Sequence, residues 1–320
     1  MAKTEQSFLG TLTPRHLWEL LVRTFNEWLE DKAPQLGAAL AYYTVFSLAP
    51  LILVLLAIVG VIFRNDPAGA WERITEQMRY YLDPSGVQVV QDIARTAAKP
   101  SAGFWASVIG IALALFGASG VFGQLQDALN TIWGVKAKPA AAIWDYLRVR
   151  FLSFAMVAGV CFLLLVSLTV EALLKSFSGY LEAALPGGAA LGFAIYMSVD
   201  LCLVVFVFAA MFKYLPDVEV RWRDVTVGAA VTALLFLVGK WGLGLYLGSG
   251  AASSAYGAAS SLVTLLLWIY YSSQILLFGA EFTQVYANRF GAGGKPSKHA
   301  VAVKAIEKEI SAPGEKPVHA

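Results

Sequence analysis

Between Lys32 and Arg64 the chain carries no charged side chain, and the run APQLGAALAYYTVFSLAPLILVLLAIVGVIF has Pro50 near its middle. As a helix rising about 1.5 Å per residue it reaches roughly 46 Å, against about 30 Å of bilayer hydrocarbon, so it spans with tilt or begins in the interface. Apolar stretches of similar length recur, and the pattern predicts six membrane spans at about 36–63, 102–122, 151–170, 189–212, 225–247 and 258–280. Strand-length segments of alternating polarity are missing, so the expected fold is an all-α polytopic membrane protein with six transmembrane helices.

The polar segments complete that picture. Residues 1–32 are expected as an N-terminal segment with an interfacial helix: Thr13 and Pro14 read as an N-cap and first helical position, and Leu17, Leu20, Leu21, Phe25, Trp28 and Leu29 recur at helical spacing. That face suits lipid contact or docking on the membrane domain equally. The segment lacks the apolar core of a secretory signal. Residues 64–101 predict an external helical hairpin broken at Asp83 to Gly86, with Trp71, Ile74, Met78 and Tyr81 on one buried face and Val87, Val90, Ile93 and Ala97 on the other. The membrane domain is placed at 33–290, followed by a disordered tail at 291–320 rich in Gly, Pro and Lys.

Composition changes little here: 58% hydrophobic residues, 14% charged residues and a mean hydropathy of +0.63 already describe a chain whose solvent is lipid. Charge placement adds orientation. Lys and Arg number 17 in the N-terminal segment, the second and fourth loops and the tail, against 6 in the remaining loops. The positive-inside rule therefore puts both termini in the cytoplasm.

Ionisable residues inside a bilayer are the first candidates for function. Two fall within spans, Asp200 and Lys240, at depths close enough for the lysine to reach the carboxylate. They read as a buried ion pair between adjacent helices, with a snorkelling Lys240 as a variant, or as part of a polar pathway. Tyr270, Tyr271, Ser272, Ser273 and Gln274, followed by Glu281, read as cavity lining or as hydrogen-bonding groups between packed helices. Glu171 and Glu281 are placed at span ends, where headgroups and water solvate them. Pro50 predicts a kink, since it leaves the Phe46 carbonyl without a partner, with Thr44 and Ser47 near enough to compensate. Gly37 and Ala41, or Gly110, Ala114 and Ala118, suit close helix approach, whereas Gly239, Gly242 and Gly244 are read as loosening span five. Cys161 and Cys202 read as small apolar packing groups.

Four segments carry a family resemblance: ALAYYTVFSLAPLILVLLAIVG, QDALNTIWGV, YLPDVEVRWRDVTVGAAVTALLF and AYGAASSLVTLLLWIYYSSQILLFGAEF. Together they resemble the YihY/virulence factor BrkB family. That resemblance implies a six-span inner-membrane protein with roles in envelope integrity, resistance to host killing and lipid or solute transport. It also brings an older label, ribonuclease BN, which the residues do not support. The three histidines, His16, His299 and His319, are scattered through the tails, and phosphate-binding loops, nucleophile elbows and basic stripes are missing. The expectations are therefore no catalytic residues, no metal, no cofactor and no nucleic-acid partner. Membrane lipids are the expected partners, with a lipid or small molecule as substrate and a homo-oligomer left open. A transporter or lipid conduit, a scaffold without transport and a membrane enzyme remain the three readings.

Overall fold

The computed structural model describes residues 14–81, 84–97, 120–138, 159, 188–248 and 260–303. Most of these residues are helical. In chain order the helices are α1 (Pro14–Glu30), α2 (Ala33–Ile62), α3 (Pro67–Tyr81), α4 (Pro84–Ala97), α5 (residues 120–132), α6 (Gly188–Tyr214), α7 (Trp222–Gly248) and α8 (Ser260–Phe290). Four short strands join them: β1 (Val135–Ala137), β2 (Val218–Glu219), β3 (Lys295–Pro296) and β4 (Ala300–Ala302). The spans expected at 102–122 and 151–170, the Gly110 series, Cys161 and Glu171 lie outside the described residues apart from 120–122 and 159.

Helix α8 is the hub of the bundle, packing against α7, α2, α1 and α4. Its contact with α7 is close because glycines on each helix receive side chains of the other. A methyl group at Gly228 would overlap Thr283 Oγ1, and its next backbone neighbour there is the Thr283 Cα at 3.1 Å. One turn further on, a methyl at Gly279 would overlap Thr232 Oγ1. The two antiparallel helices thus exchange a glycine and a threonine reciprocally, and both threonines are fully buried. Each hydroxyl is satisfied inside its own helix, Thr232 donating to the Gly228 carbonyl and Thr283 to the Gly279 carbonyl, both at 2.7 Å. Without hydrophobic drive between helices in lipid, such small-residue seams supply the packing that holds them. Gly239 continues the seam against Tyr271, so it tightens α7 rather than loosening it; Gly242 faces open space.

Aromatic side chains carry α6 onto the same pair of helices. Phe208 lies 6.3 Å from Phe212 and 6.1 Å from Phe236 of α7, which lies 6.4 Å from Trp268 of α8. These separations are those of offset and edge-to-face ring pairs. Outward, the bundle shows Phe206, Leu234, Val238, Leu245, Leu262 and Leu266, all exposed. Cys202 is exposed as well, so it faces outward and does not fill the interior.

Helix α2 passes through Pro50 as one helix, and Thr44 Oγ1 donates to the Leu40 carbonyl at 2.7 Å in the preceding turn. Onto its second half pack α3 and α4. Ile52 and Leu56 meet Val90, Ile93 and Ala94, while Val59, Leu55 and Phe63 meet Ala70 and Ile74. Asp66 starts α3, accepting from the Gly69 amide at 2.9 Å and pairing with Arg73 at 3.2 Å, with Pro67 as first helical residue.

Helix α1, Pro14–Glu30, docks on α8. Leu20 is buried against Phe282, Val285 and Tyr286, and Glu19 pairs with Arg289 at 2.8 Å. The buried stripe is Leu20, Thr24 and Trp28, whereas Trp18, Leu21, Val22, Phe25 and Leu29 stay exposed. The expected apolar face therefore divides, one side serving the bundle and the other facing outward.

At the α8 C-terminal end, three segments expected as loops are tied together. The buried Asp217 carboxylate accepts from Gln126 Nε2 at 3.1 Å and from Asn130 Nδ2 at 3.0 Å, and its own amide donates to Asn130 Oδ1 at 2.8 Å. The Asp217 carbonyl accepts from the Ser297 amide at 2.9 Å. Strand β1 pairs antiparallel with β4 and β2 with β3. Gly134, at φ 59, makes the left-handed turn that leads α5 into β1. The tail expected to be disordered from residue 291 is thus ordered through Val303, because its backbone finds ladder partners. Residues 304–320 lie outside the described residues.

Two outcomes follow from these contacts. Gly228→Ala loses about 1–3 kcal/mol of stability by overpacking, read as a lower melting temperature in detergent, while Gly242→Ala on the same helix leaves it unchanged or slightly higher. Asn130→Ala takes the acceptor from the buried Asp217 amide and one of the two amide donors from its carboxylate, costs about 1–3 kcal/mol, and frees the segment beyond it. Trypsin then cuts faster at Lys295 and Lys298, whereas Thr131→Val, at an exposed hydroxyl, cuts at the parent rate.

Candidate functional site

Polar groups enter the bundle at two levels along α8, and its 3.6-residue period decides which neighbour each one meets. Tyr271, Gly279 and Thr283 share the face toward α7, while Gln274 and Glu281, seven residues apart, share the face toward α1 and α2. The consecutive polar residues Tyr270 to Gln274 are therefore split between interfaces. Tyr271 lies over Gly239, and Gln274 lies over Gly37, which has no side chain to displace it. Ser273 is buried and donates to the Ile269 carbonyl at 2.8 Å. Tyr270 is half-buried. The Ser272 hydroxyl and both amide atoms of Gln274 are buried without hydrogen-bond partners.

The first level contains Asp200 and Lys240. Asp200 is buried on α6, Lys240 is half-buried on α7, and their charges act on one another. Lys240 follows Gly239, so the Asp200, Lys240 and Tyr271 positions form one polar layer across α6, α7 and α8. It lies about 20–27 Å from the strand-bearing end of α6 and α7 at 1.5 Å per residue.

The second level is at the junction of α1, α2 and α8. Glu281 was expected at a span end, solvated; it is instead 0% exposed, nine residues before the end of a helix that continues to Phe290. The helix continues because Thr283, Val285 and Tyr286 still have α7 and α1 to pack against. Opposite Glu281 stands Asp31, the last residue before Lys32 turns the backbone at φ 55 into α2. Burial and the neighbouring Glu27 carboxylate push the Asp31 carboxyl up from 3.8 to about 6; contact with Glu281 works the other way, and Glu30 adds to the rise. Sequence reasoning missed Asp31, Asn130 and Asp217 as individual actors. Asp31 reads as one more loop charge, and its only signal is its place, with Lys32, at the edge of an uncharged run.

Among the described residues, Met197–Tyr214, Trp222–Lys240 and Leu262–Phe290 are helical segments long and apolar enough to cross a membrane. Helices of this kind, with apolar side chains outward and polar groups turned inward, define a polytopic helical membrane protein. More narrowly, the profile described as "Virulence factor BrkB" matches residues 24–304, and the chain belongs to that family. The matched stretch encloses both polar levels and the Asp217 cluster.

Relatives include a "UPF0761 membrane protein" of Stenotrophomonas maltophilia, 28% identical over 284 residues, covering 85% of this chain and 60% of the relative. One from Alcanivorax borkumensis is 28% identical over 269 residues, covering 83% and 59%, and one from Ralstonia nicotianae is 29% identical over 266 residues, covering 78% and 55%. The chain thus spans less than two thirds of the length of these relatives. Their names state a membrane protein and no reaction. No solved structure matches the chain.

Asp31 gives a stability signature whose sign is fixed. A carboxyl raised in the folded state contributes stability that is full below its unfolded value of 3.8 and is lost as pH rises through about 6. Asp31→Asn therefore melts above the parent at pH above about 6, and the gap closes as the pH falls toward 3.8, measured by thermal unfolding in detergent across that range.

Proposed function

We propose that this is a six-span protein of the bacterial inner membrane, with both termini cytoplasmic, that acts without enzymatic chemistry as a conduit for a lipid or small amphiphile. The observation that carries the reading is the Asp200–Lys240 pair, two opposite charges inside a bundle whose outer surface is apolar. Charges at such depth are costly, and a path for a charged headgroup is one return for keeping them. Acyl chains would stay against the exposed Phe206, Leu234 and Val238 while a headgroup met the pair. The excess of Lys and Arg on the segments gathered at the strand-bearing end supports its cytoplasmic placement. The exposed Trp18, Val22, Phe25 and Leu29 on α1 suit the headgroup boundary beside it.

A scaffold without transport is the second reading, favoured by the burial of Asp200 at 4% exposure and by the tightness of the α7–α8 seam. The two part on one experiment. Asp200→Asn, Lys240→Gln and the double variant are reconstituted into vesicles, and movement of a fluorescent phospholipid between leaflets is timed. A conduit predicts that each folded variant slows at least about tenfold, the effect of roughly 1.4 kcal/mol on a barrier. Unchanged rates in variants that elute and melt like the parent leave the scaffold.

A further inference from the structure

Glu281 poses a chemical problem that its neighbours solve in one way. Both of its oxygens are buried without a hydrogen-bond donor, and the group opposite is a second carboxyl, Asp31. Two carboxylates only accept; with one proton added, either can donate to the other. The side chains stand close enough for that bond. We propose that Asp31 and Glu281 form a proton-binding site at the junction of α1, α2 and α8, one proton being held between the two carboxyl groups.

The surroundings favour this occupant. The charged groups acting on the pair are Glu27 and Glu30, both acidic. Glu27 is partly offset by Arg23 at 3.5 Å, and Lys32, next in the chain, is exposed. Further from the pair, α2 and α8 meet next at Gly37 and Gln274, neither titratable. Among the described residues no three His, Cys, Asp or Glu side chains are grouped to hold a metal ion. The proton is the cation that two carboxyls in contact can bind without further ligands.

Access is graded in the same direction. Glu30 is exposed, Asp31 is half-buried and Glu281 is fully buried, so exchange with water runs through the end of α1. On arrival the proton forms an O–H bond on one carboxyl and is donated to an oxygen of the other; release reverses this, and nothing is oxidised or reduced. Two turns along the same face of α8, about 10 Å deeper, the buried Gln274 amide has both a donor and an acceptor unused. The site stands independently of the conduit reading, since a bound proton is detectable whether or not anything is transported.

The test is infrared difference spectroscopy of the full chain in phosphatidylcholine vesicles, titrated with acid and base, following the deuterium-sensitive carbonyl stretch of a protonated carboxyl. The parent shows that band near neutral pH, and Glu281→Gln, which keeps the side-chain shape, loses it. Glu281→Asp retains it, and Asp31→Asn moves its midpoint by at least about one pH unit, a tenfold change in proton affinity. A parent without the band, or a band unaltered in Glu281→Gln, overturns the proposal. Displacement of the band by sodium at constant pH overturns it in favour of a metal cation. Should Glu281→Gln fail to fold, the Asp31→Asn midpoint decides, an unmoved midpoint overturning the site. Lipid movement timed in the same vesicles separates the two ideas, since intact proton binding without lipid movement removes only the conduit.

Discussion

The bundle depends on how closely α7 and α8 approach. Where Gly228 meets Thr283 and Gly279 meets Thr232, each helix offers a missing side chain to the other's hydroxyl-bearing one. The threonines bond back to their own helices, so the seam needs no polar bond across it and leaves no polar group unsatisfied. In lipid, where apolar contact with a helix and with an acyl chain are nearly equivalent, interdigitation at this spacing distinguishes one helix partner from solvent. The levels of Lys240 and Tyr271 are set by that seam, because Gly239, next to Lys240 in the chain, continues it.

Helix α8 can serve several neighbours because its polar residues are placed by angle as well as depth. Threonine and tyrosine face α7, glutamine and glutamate face α2 and α1, and Phe282 and Tyr286 hold the N-terminal helix. Glu19 meets Arg289, Asp31 meets Glu281 and Gly37 lies beneath Gln274, so α1 and α2 follow α8 in antiparallel order. The break at Lys32 lets one amphipathic docking helix and one apolar helix share that track.

Much of this was legible because it rests on local periodicity. The helical run from Ala33 and the amphipathic faces of α3 and α4 follow from spacing along the chain. The missed features need partners that are distant in sequence. Asn130 and Asp217 lie in two of the four segments that carry the family resemblance, yet nothing local says that one side chain accepts from and donates to the other. Glu281 looks like a boundary residue because hydropathy stops there, whereas the helix continues against α1. The strands near 296 and 301 were invisible because two or three residues have no periodicity to read.

The pairing of β1 with β4 also bears on the order in which the protein is made. Val135–Ala137 is synthesised well before its ladder partner, Ala300–Ala302, which follows only after α8. Until then its amides have water in place of a strand, and the loop that the pairing closes encompasses α6, α7 and α8. The clasp therefore forms last and closes on helices already inserted. A bundle that inserted with one helix reversed would carry β4 to the opposite side of the membrane and leave the clasp open.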